Sequence, residues 1–207
     1  MSTQETYLKG IADAIRAKLG TTGTIKASEF SSKIAAISTG VAKPKWVKTT
    51  TIGVAWQAVC YGNGKFVSVA YNSNIAAYST DGINWTRTTL PVSAMWNHVC
   101  YGAGKFVAVA WNSAIAVYST DGINWTQCSM PGSLDWTCIC YDNGKFVVVT
   151  YNNNIAAYST DGINWTQTTL PANALWKSVC YGNGKFVAVV NGSTTAAYIK
   201  DSFDEWA

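Results

Sequence analysis

Charged residues are scarce in this chain. They make up 13% of its 207 residues, with a single histidine and a net charge of +4. The few basic residues are scattered, so the sequence lacks the basic stripe that nucleic-acid binding requires. It also lacks any apolar run near the roughly 18–20 residues that a membrane-spanning helix needs. With 48% hydrophobic residues, the composition predicts a globular protein with no nucleic-acid partner and no membrane span.

A secretory signal is also absent from the beginning of the sequence. Residues 1–10 are polar and do not show a basic segment followed by an apolar one. We therefore expect synthesis in a cytoplasm and no signal peptide.

What the chain does contain is a repeat with a constant spacing of 40 residues. Its four copies begin at Trp56, Trp96, Trp136 and Trp176. A fixed period of this size is typical of stacked or radially arranged units, none of which can bury its own core alone. Residues found in every copy are therefore more readily explained as scaffold than as active site.

Each copy shows the pattern of four short strands separated by turns. In the first copy we expect strands at 56–61, 66–71, 75–80 and 85–90, with Asn63-Gly64 and Asp81-Gly82 in two of the turns. Such dipeptides between apolar runs favour hairpins with type I′ turns. Bulky apolar residues lie on both faces of the strands, as in the mutually covering blades of a propeller. The sequence predicts an all-β, four-bladed β-propeller over residues 41–207.

The ends of the repeat region indicate how such a ring could close. The last copy runs out at Trp206, where its fourth strand should begin, while Trp46–Thr51 resembles the fourth strand of the first copy, Trp85–Leu90. We expect strand 46–51 to complete the last blade and to remove the exposed edges. Trp46 and Trp206 compete for one repeat position, and the sequence leaves that choice open.

Residues 1–40 have a different pattern. Apolar residues recur at helical spacing from Thr6 to Leu19, and Ser28 can cap a second short helix. We expect a short helical hairpin in front of the propeller.

The stretch Tyr78-Ser79-Thr80-Asp81-Gly82-Ile83-Asn84-Trp85-Thr86 recurs from Tyr118 and Tyr158 and is degraded after Tyr198. It resembles the Asp-box repeat of sialidase-like propellers, in the shortened Asp-Gly form found in phage tail and adhesin proteins. The resemblance covers residues 45–207. It implies that the box is a structural turn between the third and fourth strands rather than a calcium or ligand site. The turn residues would be Asp81, Asp121, Asp161 and Asp201.

The segment Leu8–Lys18, followed by Ile25–Phe30, looks like a short leader found on tail and baseplate-associated proteins of phages and prophages of gut bacteria. This resemblance implies a protein of the virion tail, assembled in the host cytoplasm, whose residues 1–40 contact other tail proteins or oligomerise. A helical hairpin that merely caps the propeller is the alternative. No heptad pattern establishes a homo-oligomer.

Enzymatic residues of the expected kinds are missing. Sialidase-like chemistry would need three arginines and a Tyr–Glu pair, but the chain has only Arg16 and Arg87, and Glu205 is the sole glutamate of the repeats. Glycoside hydrolysis needs two carboxylates that flank the substrate, and no spacing favours a pair. His98 has no marked nucleophile. We expect no catalytic residue, no cofactor and no enzyme.

The six cysteines do not form an obvious disulfide or metal pattern. Four occupy one repeat position, namely Cys60, Cys100, Cys140 and Cys180. Equivalent positions in separate repeats should exceed the ~7 Å Cα limit for a disulfide, so we interpret them as small buried apolar residues. The Cys138-x-Cys140 pair has no partner pair, which argues against a metal site.

The copies differ mainly in the turn after the second strand and in the loop between repeats. We expect a binding face there, because scaffold positions stay constant while specificity positions change. Its chemistry is aromatic rings beside amides, which can stack on sugars and bond their hydroxyls. The candidate residues are Tyr71, Asn72, Trp111, Asn112, Tyr151, Asn152 and Asn191. The alternative is that these rings only shield the turns.

Together these patterns predict a non-enzymatic, phage or prophage tail-associated receptor-binding protein that recognises a bacterial surface glycan. A purely structural tail or baseplate component without a ligand is the alternative. A glycosidase is disfavoured because the required arginines and carboxylates are missing.

Overall fold

The computed structural model describes residues 11–17, 20, 45–51 and 53–200, which fall in two compact units, Met1–Lys48 and Thr49–Ala207. In the first unit, residues 11–17 form helix α1, which buries Ala12 and Ile15. The helix lies inside the span predicted for the first helix of the leader. The predicted second helix after Ser28, and Asp201, lie outside the described residues.

The described part of the second unit is built from β-strands that follow the 40-residue period. The first repeat contains β1 (Trp56–Gly62), β2 (Lys65–Ala70), β3 (Ser73–Ser79) and the start of β4 (Thr86–Gly102). The second continues β4 and adds β5 (Lys105–Trp111), β6 (Ser113–Ser119) and β7 (Thr126–Leu134). The third contains β8 (Trp136–Asp142), β9 (Lys145–Thr150), β10 (Asn153–Ser159) and β11 (Thr166–Ala174). The fourth contains β12 (Trp176–Gly182), β13 (Lys185–Val190) and β14 (Ala196–Lys200).

Neighbouring strands pair antiparallel in chain order. The 17-residue strand β4 pairs with β3 through its first half and with β5 through its second half, so the first two repeats share one seven-stranded sheet. The third repeat is a four-stranded sheet, and the fourth is a three-stranded sheet of β12, β13 and β14. The chain therefore has the predicted all-β repeat architecture, with four strands in each of the first three repeats.

The hairpin between the first two strands of each repeat has the expected turn. Asn63 and Gly64 both have positive φ, 44° and 72°, and Gly62 pairs with Lys65 across them. Two consecutive positive φ values define the type I′ turn that matches the twist of a hairpin. The second repeat has Ala103 at the first turn position, with φ 45°.

The hydrophobic core lies between repeats rather than within them. One cluster joins the first and second repeats, a second joins the second and third, and a third joins the third and fourth. Trp96, Trp136 and Trp176 are fully buried in these clusters, whereas Trp56 of the first repeat is partly exposed. Each repeat is thus stabilised by its neighbour, as expected for a repeat protein.

The predicted closing strand is not present. Residues 45–51 form no strand, and Trp46 and Val47 are 99% and 84% exposed. Thr49 donates its hydroxyl to the carbonyl of Ile83 in the first repeat (2.8 Å), just as Thr88 donates to Ile123 in the second (2.6 Å). The segment around Thr49 therefore takes the position of a fourth strand that precedes the first repeat, and β14 has no second strand paired with it among the described residues. The expected closure is wrong, and the sheets of the described residues do not form a closed ring.

Candidate ligand-binding site

Four residues at the same repeat position lie where the second strand of each repeat ends, that is, at the ends of β2, β5, β9 and β13. This set, called the end row below, consists of Tyr71, Trp111, Tyr151 and Asn191. The backbone N–H groups of Tyr71, Tyr151 and Asn191 each donate to a carbonyl in the loop that precedes their repeat, at 2.8–2.9 Å. The repeat backbone therefore holds the end row at one end of the sheets, where the sequence predicted a binding face.

The structure brings two members of the end row into direct contact. The rings of Trp111 and Tyr151 stack with centroids 5.7 Å apart and planes 25° from parallel. Tyr71 is 38% exposed, and its hydroxyl donates to Sδ of Met95 at 3.2 Å. Asn191 replaces the aromatic residue in the fourth repeat. The aromatic surface is therefore centred on the second and third repeats.

The indole of Trp111 carries a donor with no partner among the described residues. Its Nε1 atom is buried, while the ring itself is half-buried. Asp135 connects the backbone segments that carry the two rings. Its Oδ1 accepts a hydrogen bond from the N–H of Asn112 (3.0 Å), and its carbonyl accepts one from the N–H of Tyr151 (2.8 Å). The buried Nε1 donor of Trp111 is not accessible to a ligand, whereas the stacked rings and the exposed amides of Asn112 and Asn152 can meet a ligand that has both apolar and hydroxyl faces.

The neighbouring asparagines have a backbone role. Asn72, Asn112 and Asn152 are exposed and have positive φ of 50°, 46° and 55°. Gly192, with φ 69°, takes the same position in the fourth repeat. Asn and Gly are the residues that best tolerate this conformation. The turn alone therefore explains the asparagines, and their exposed amides remain available for a ligand.

Three side chains from different repeats meet at a second place. They are His98 on β4, Cys138 on β8 and Ser178 on β12. Nε2 of His98 lies 4.0 Å from Sγ of Cys138, which lies 3.9 Å from Oγ of Ser178. These three residues share one repeat position, 40 residues apart. The sequence marked no serine or cysteine as a nucleophile for His98, and the structure places the Cys138 thiol beside it. The 40-residue spacing was the signal that could have identified the contact.

The environment of Cys138 changes its acidity. Burial raises the pKa of the thiol, but the hydrogen bond and positive potential of His98 lower it, together with hydrogen bonds with the backbone of Val179 and the hydroxyl of Ser178. The net effect lowers the pKa of Cys138 below the usual thiol value. In contrast, burial raises the pKa of Cys60 and Cys140 to about 12.

The remaining cysteines lack such a partner set. All six are free thiols, and burial is the main cause that raises the pKa of Cys100 and of Cys128, the latter to about 11. Cys100 is buried, Cys60 and Cys140 are half-buried, and Cys180 is exposed. The interpretation as buried apolar residues therefore fits Cys100 but not Cys180.

The repeated Asp-Gly turns are internally bonded. Oδ1 of Asp81 accepts from the N–H groups of Ile83 and Asn84 (both 2.8 Å) and from the Ser79 hydroxyl (2.9 Å). The same network recurs around Asp121 and Asp161. The hydrogen bonds of Asn84, Ile83 and Ser79 lower the pKa of Asp81. These carboxylates satisfy turn amides.

Two negative observations apply to the described ranges. No group of three or more His, Cys, Asp or Glu side chains there is arranged to hold a metal ion. No helix there is long and apolar enough to span a membrane.

Comparison with known proteins identifies the architecture. The family model described as the DUF6242 beta propeller domain matches residues 46–174. No protein with a curated description matches the sequence.

Several solved structures are similar in fold. A streptogramin B lyase structure has a TM-score of 0.60 at 12% identity, over 71% of this chain and 55% of that chain. The computationally designed Ika4 protein has a TM-score of 0.59 at 10% identity, over 77% of this chain and 99% of that one. Virginiamycin B lyase from Staphylococcus aureus has a TM-score of 0.57 at 13% identity, over 76% and 59%. The chain thus spans little more than half of the two lyases.

Proposed function

This chain belongs to the family of the DUF6242 beta-propeller domain, and we propose that it is a non-enzymatic receptor-binding protein that recognises a bacterial surface glycan through its end row. The observation that carries the proposal is the stacked pair of Trp111 and Tyr151. Rigid aromatic rings with exposed amides beside them match the alternating apolar and hydroxyl surface of a sugar.

The location of the pair supports binding rather than core packing. Both residues are half-buried, whereas the tryptophans that open the second, third and fourth repeats are fully buried. The neighbouring Asn112 and Asn152 are exposed, so their amides can reach a ligand at the rings. In this proposal each of the four repeats forms one blade of the propeller.

The proposed context is the tail of a phage or prophage virion. The similarity of Leu8–Lys18 and Ile25–Phe30 to tail-associated leaders supports it, and residues 1–40 would contact other tail proteins. The repeated Asp-Gly turns, with their Asp-box pattern, would serve as scaffold.

A glycan array and a panel of whole bacterial cells test the proposal with labelled full-length protein. Wild type should bind one class of glycan, and Trp111→Ala and Tyr151→Ala should each weaken binding at least about tenfold, which corresponds to 1.4 kcal/mol. Trp46→Ala is a matched control, because it removes a tryptophan that is 99% exposed and far from the end row in sequence.

Circular dichroism and thermal unfolding of each variant separate loss of binding from loss of fold. Absence of binding by wild type to every glycan and cell type would contradict the proposal. That result would favour the alternative, a structural tail component that acts through residues 1–40. Equal loss of binding in Trp46→Ala would likewise argue against the end row as the site.

A further inference from the structure

The first repeat has an apolar face with no preceding repeat against it. Val59 is 58% exposed, whereas its equivalents Val99, Ile139 and Val179 are only 1%, 1% and 5% exposed. The Tyr61 side chain beside it is 59% exposed. A cleft of about 190 Å³, lined by Thr51, Trp56, Val59, Ser68 and Trp85, opens on the same repeat. We call the surface of Val59 and Tyr61 the leading face.

Among the described residues, the opposite face of the fourth repeat also has no repeat packed on it. Val189 is 45% exposed, whereas the equivalent valines at positions 69, 109 and 149 are 0%, 0% and 1% exposed. Tyr198 is 66% exposed, although its equivalents Tyr118 and Tyr158 pack against the clusters between repeats. We call the surface of Gly182, Val189 and Tyr198 the trailing face.

Inside the chain these two kinds of face pack against each other. Val179, a leading-face residue of the fourth repeat, shares a buried cluster with Val149, a trailing-face residue of the third. Ile139 and Val109 do the same one repeat earlier. The exposed Val59 and Val189 are therefore the two halves of a contact that the chain makes three times internally.

In two of the three internal contacts a tyrosine packs on a glycine. A Cβ atom on Gly62 would lie 2.0 Å from the ring of Tyr101, and one on Gly102 would lie 1.9 Å from the ring of Tyr141. The third repeat has Asp142 at this position, so the contact also forms with a residue that carries a side chain. Gly182 is the last glycine of the series, and a Cβ there would meet nothing within 4 Å. The chain therefore has an exposed tyrosine, Tyr61, and a glycine, Gly182, with open space above its Cα atom.

The strand edges are complementary in the same way. Thr49 and Thr51 lie against the first repeat, where Thr51 accepts from Nε1 of Trp56 at 3.0 Å and Thr49 donates to Ile83. They occupy a fourth-strand position without a third strand beside it in the described residues. At the other end, β14 is a third strand without a fourth in the described part of the chain. Unpaired edges of this kind favour pairing with another chain.

We propose that two copies of this chain assemble head to tail, with the leading face of each copy packed on the trailing face of the other. Tyr61 of one copy would lie over Gly182 of the other, and Val59 would pack on Val189. Two such contacts related by a two-fold axis close one ring of eight blades, within the range typical of propellers. Closure matters because a head-to-tail contact that does not close produces filaments. The proposal does not depend on glycan binding.

Light scattering coupled to gel filtration gives the first test on the full-length protein. We expect a mass about twice the 22.3 kDa of one chain. Val189→Glu should shift the protein to the monomer mass, since it would place a charged side chain in the apolar contact with Val59 of the second copy, whereas Val189 is 45% exposed within its own chain. Gly132→Ala is the control and should remain dimeric, because its Cβ would make only ordinary contacts, 3.6 Å from Leu134.

Mixing two defective variants tests the head-to-tail geometry. Val59→Glu damages only the leading face, and Val189→Glu damages only the trailing face. Each alone should be monomeric, while the mixture should form a heterodimer through the one interface that remains intact on both partners, which native mass spectrometry detects. A monomeric wild type, an assembly larger than a dimer, a dimer unaffected by Val189→Glu, or a mixture that stays monomeric would each overturn the proposal.

Discussion

Nε2 of His98 lies 4.0 Å from Sγ of Cys138, although the two residues are one full repeat apart in the sequence. The contact exists because adjacent inner strands place equivalent positions side by side. It is the reason that one buried thiol of this protein differs chemically from the others.

The first prediction concerns the reactivity of this thiol. Since His98 stabilises the thiolate, His98→Ala should raise the pKa of Cys138 and slow its alkylation by iodoacetamide near neutral pH. Each unit of pKa reduces the thiolate fraction about tenfold. Peptide mass spectrometry across a pH series measures the rate, and Cys128, whose pKa is about 11, is the internal reference. Unchanged labelling of Cys138 in His98→Ala would contradict the assigned role of His98.

The second prediction concerns the turn of the second repeat. Ala103 has φ 45°, a conformation that costs a residue with a Cβ roughly 1–2 kcal/mol. Ala103→Asn, the residue found in the other three repeats, should therefore stabilise the protein by about 0.5–1 kcal/mol. Urea unfolding measures the change, and the reverse substitution Asn63→Ala should destabilise by a similar amount. Destabilisation by Ala103→Asn would show that the side chain, not the backbone, determines this position.

These turns were predictable because their cause is local. Asn63-Gly64 needs only two residues with positive φ, and the dipeptide itself signals that conformation. Closure was not predictable in the same way, because it depends on small rotations between repeats that accumulate along the array. In sequence, Trp46–Thr51 resembles the fourth strand of the first repeat, but residues 45–51 form no strand in the structure. The sequence did not show which neighbour that segment contacts, and Thr49 bonds to the first repeat.

The candidate site was also predictable only in part, because some of its features depend on how the repeats pack. The sequence predicted aromatic residues at one end of the repeats, and the structure adds that Trp111 and Tyr151 stack. The sequence shows the amide chemistry of the three asparagines but not the backbone conformation of the turns in which they lie. The positive φ of Asn72, Asn112 and Asn152 supplies a sufficient reason for those residues.

The third prediction concerns acid stability. Hydrogen bonds within its turn lower the pKa of Asp121 despite the opposing effect of burial, and Asp161 is similar. A carboxyl group whose pKa is lower in the folded state contributes stability above its unfolded pKa of about 4, and that contribution is lost as the pH falls below about 4. Asp121→Asn keeps the shape but cannot titrate. Its free energy of unfolding should therefore depend less on pH between about 4 and 2 than that of wild type.

The magnitude of this acid effect should be modest. The turn is near the surface, so solvent screening limits the contribution of the charge, and we expect about 1 kcal/mol for Asp121. Chemical unfolding at a series of pH values measures it. Identical pH profiles for wild type and Asp121→Asn would indicate that the turn carboxylates do not stabilise the fold through their charge.

The last prediction concerns the packing of tyrosine on glycine between repeats. Gly102→Ala should destabilise the protein by about 1–3 kcal/mol, because its Cβ would lie 1.9 Å from the ring of Tyr141 and a packed interface can yield only at a cost of this order. Gly132→Ala should change the free energy of unfolding by less than about 0.5 kcal/mol, as for an ordinary surface substitution. Denaturant titration of both variants provides the comparison.

A double-mutant cycle identifies the collision as the cause. In Tyr141→Ala the ring is absent, so adding Gly102→Ala should cost much less than it does in the wild-type background, giving a coupling energy of about 1 kcal/mol or more. Additive effects would mean that Gly102 is required for its backbone rather than for the ring above it.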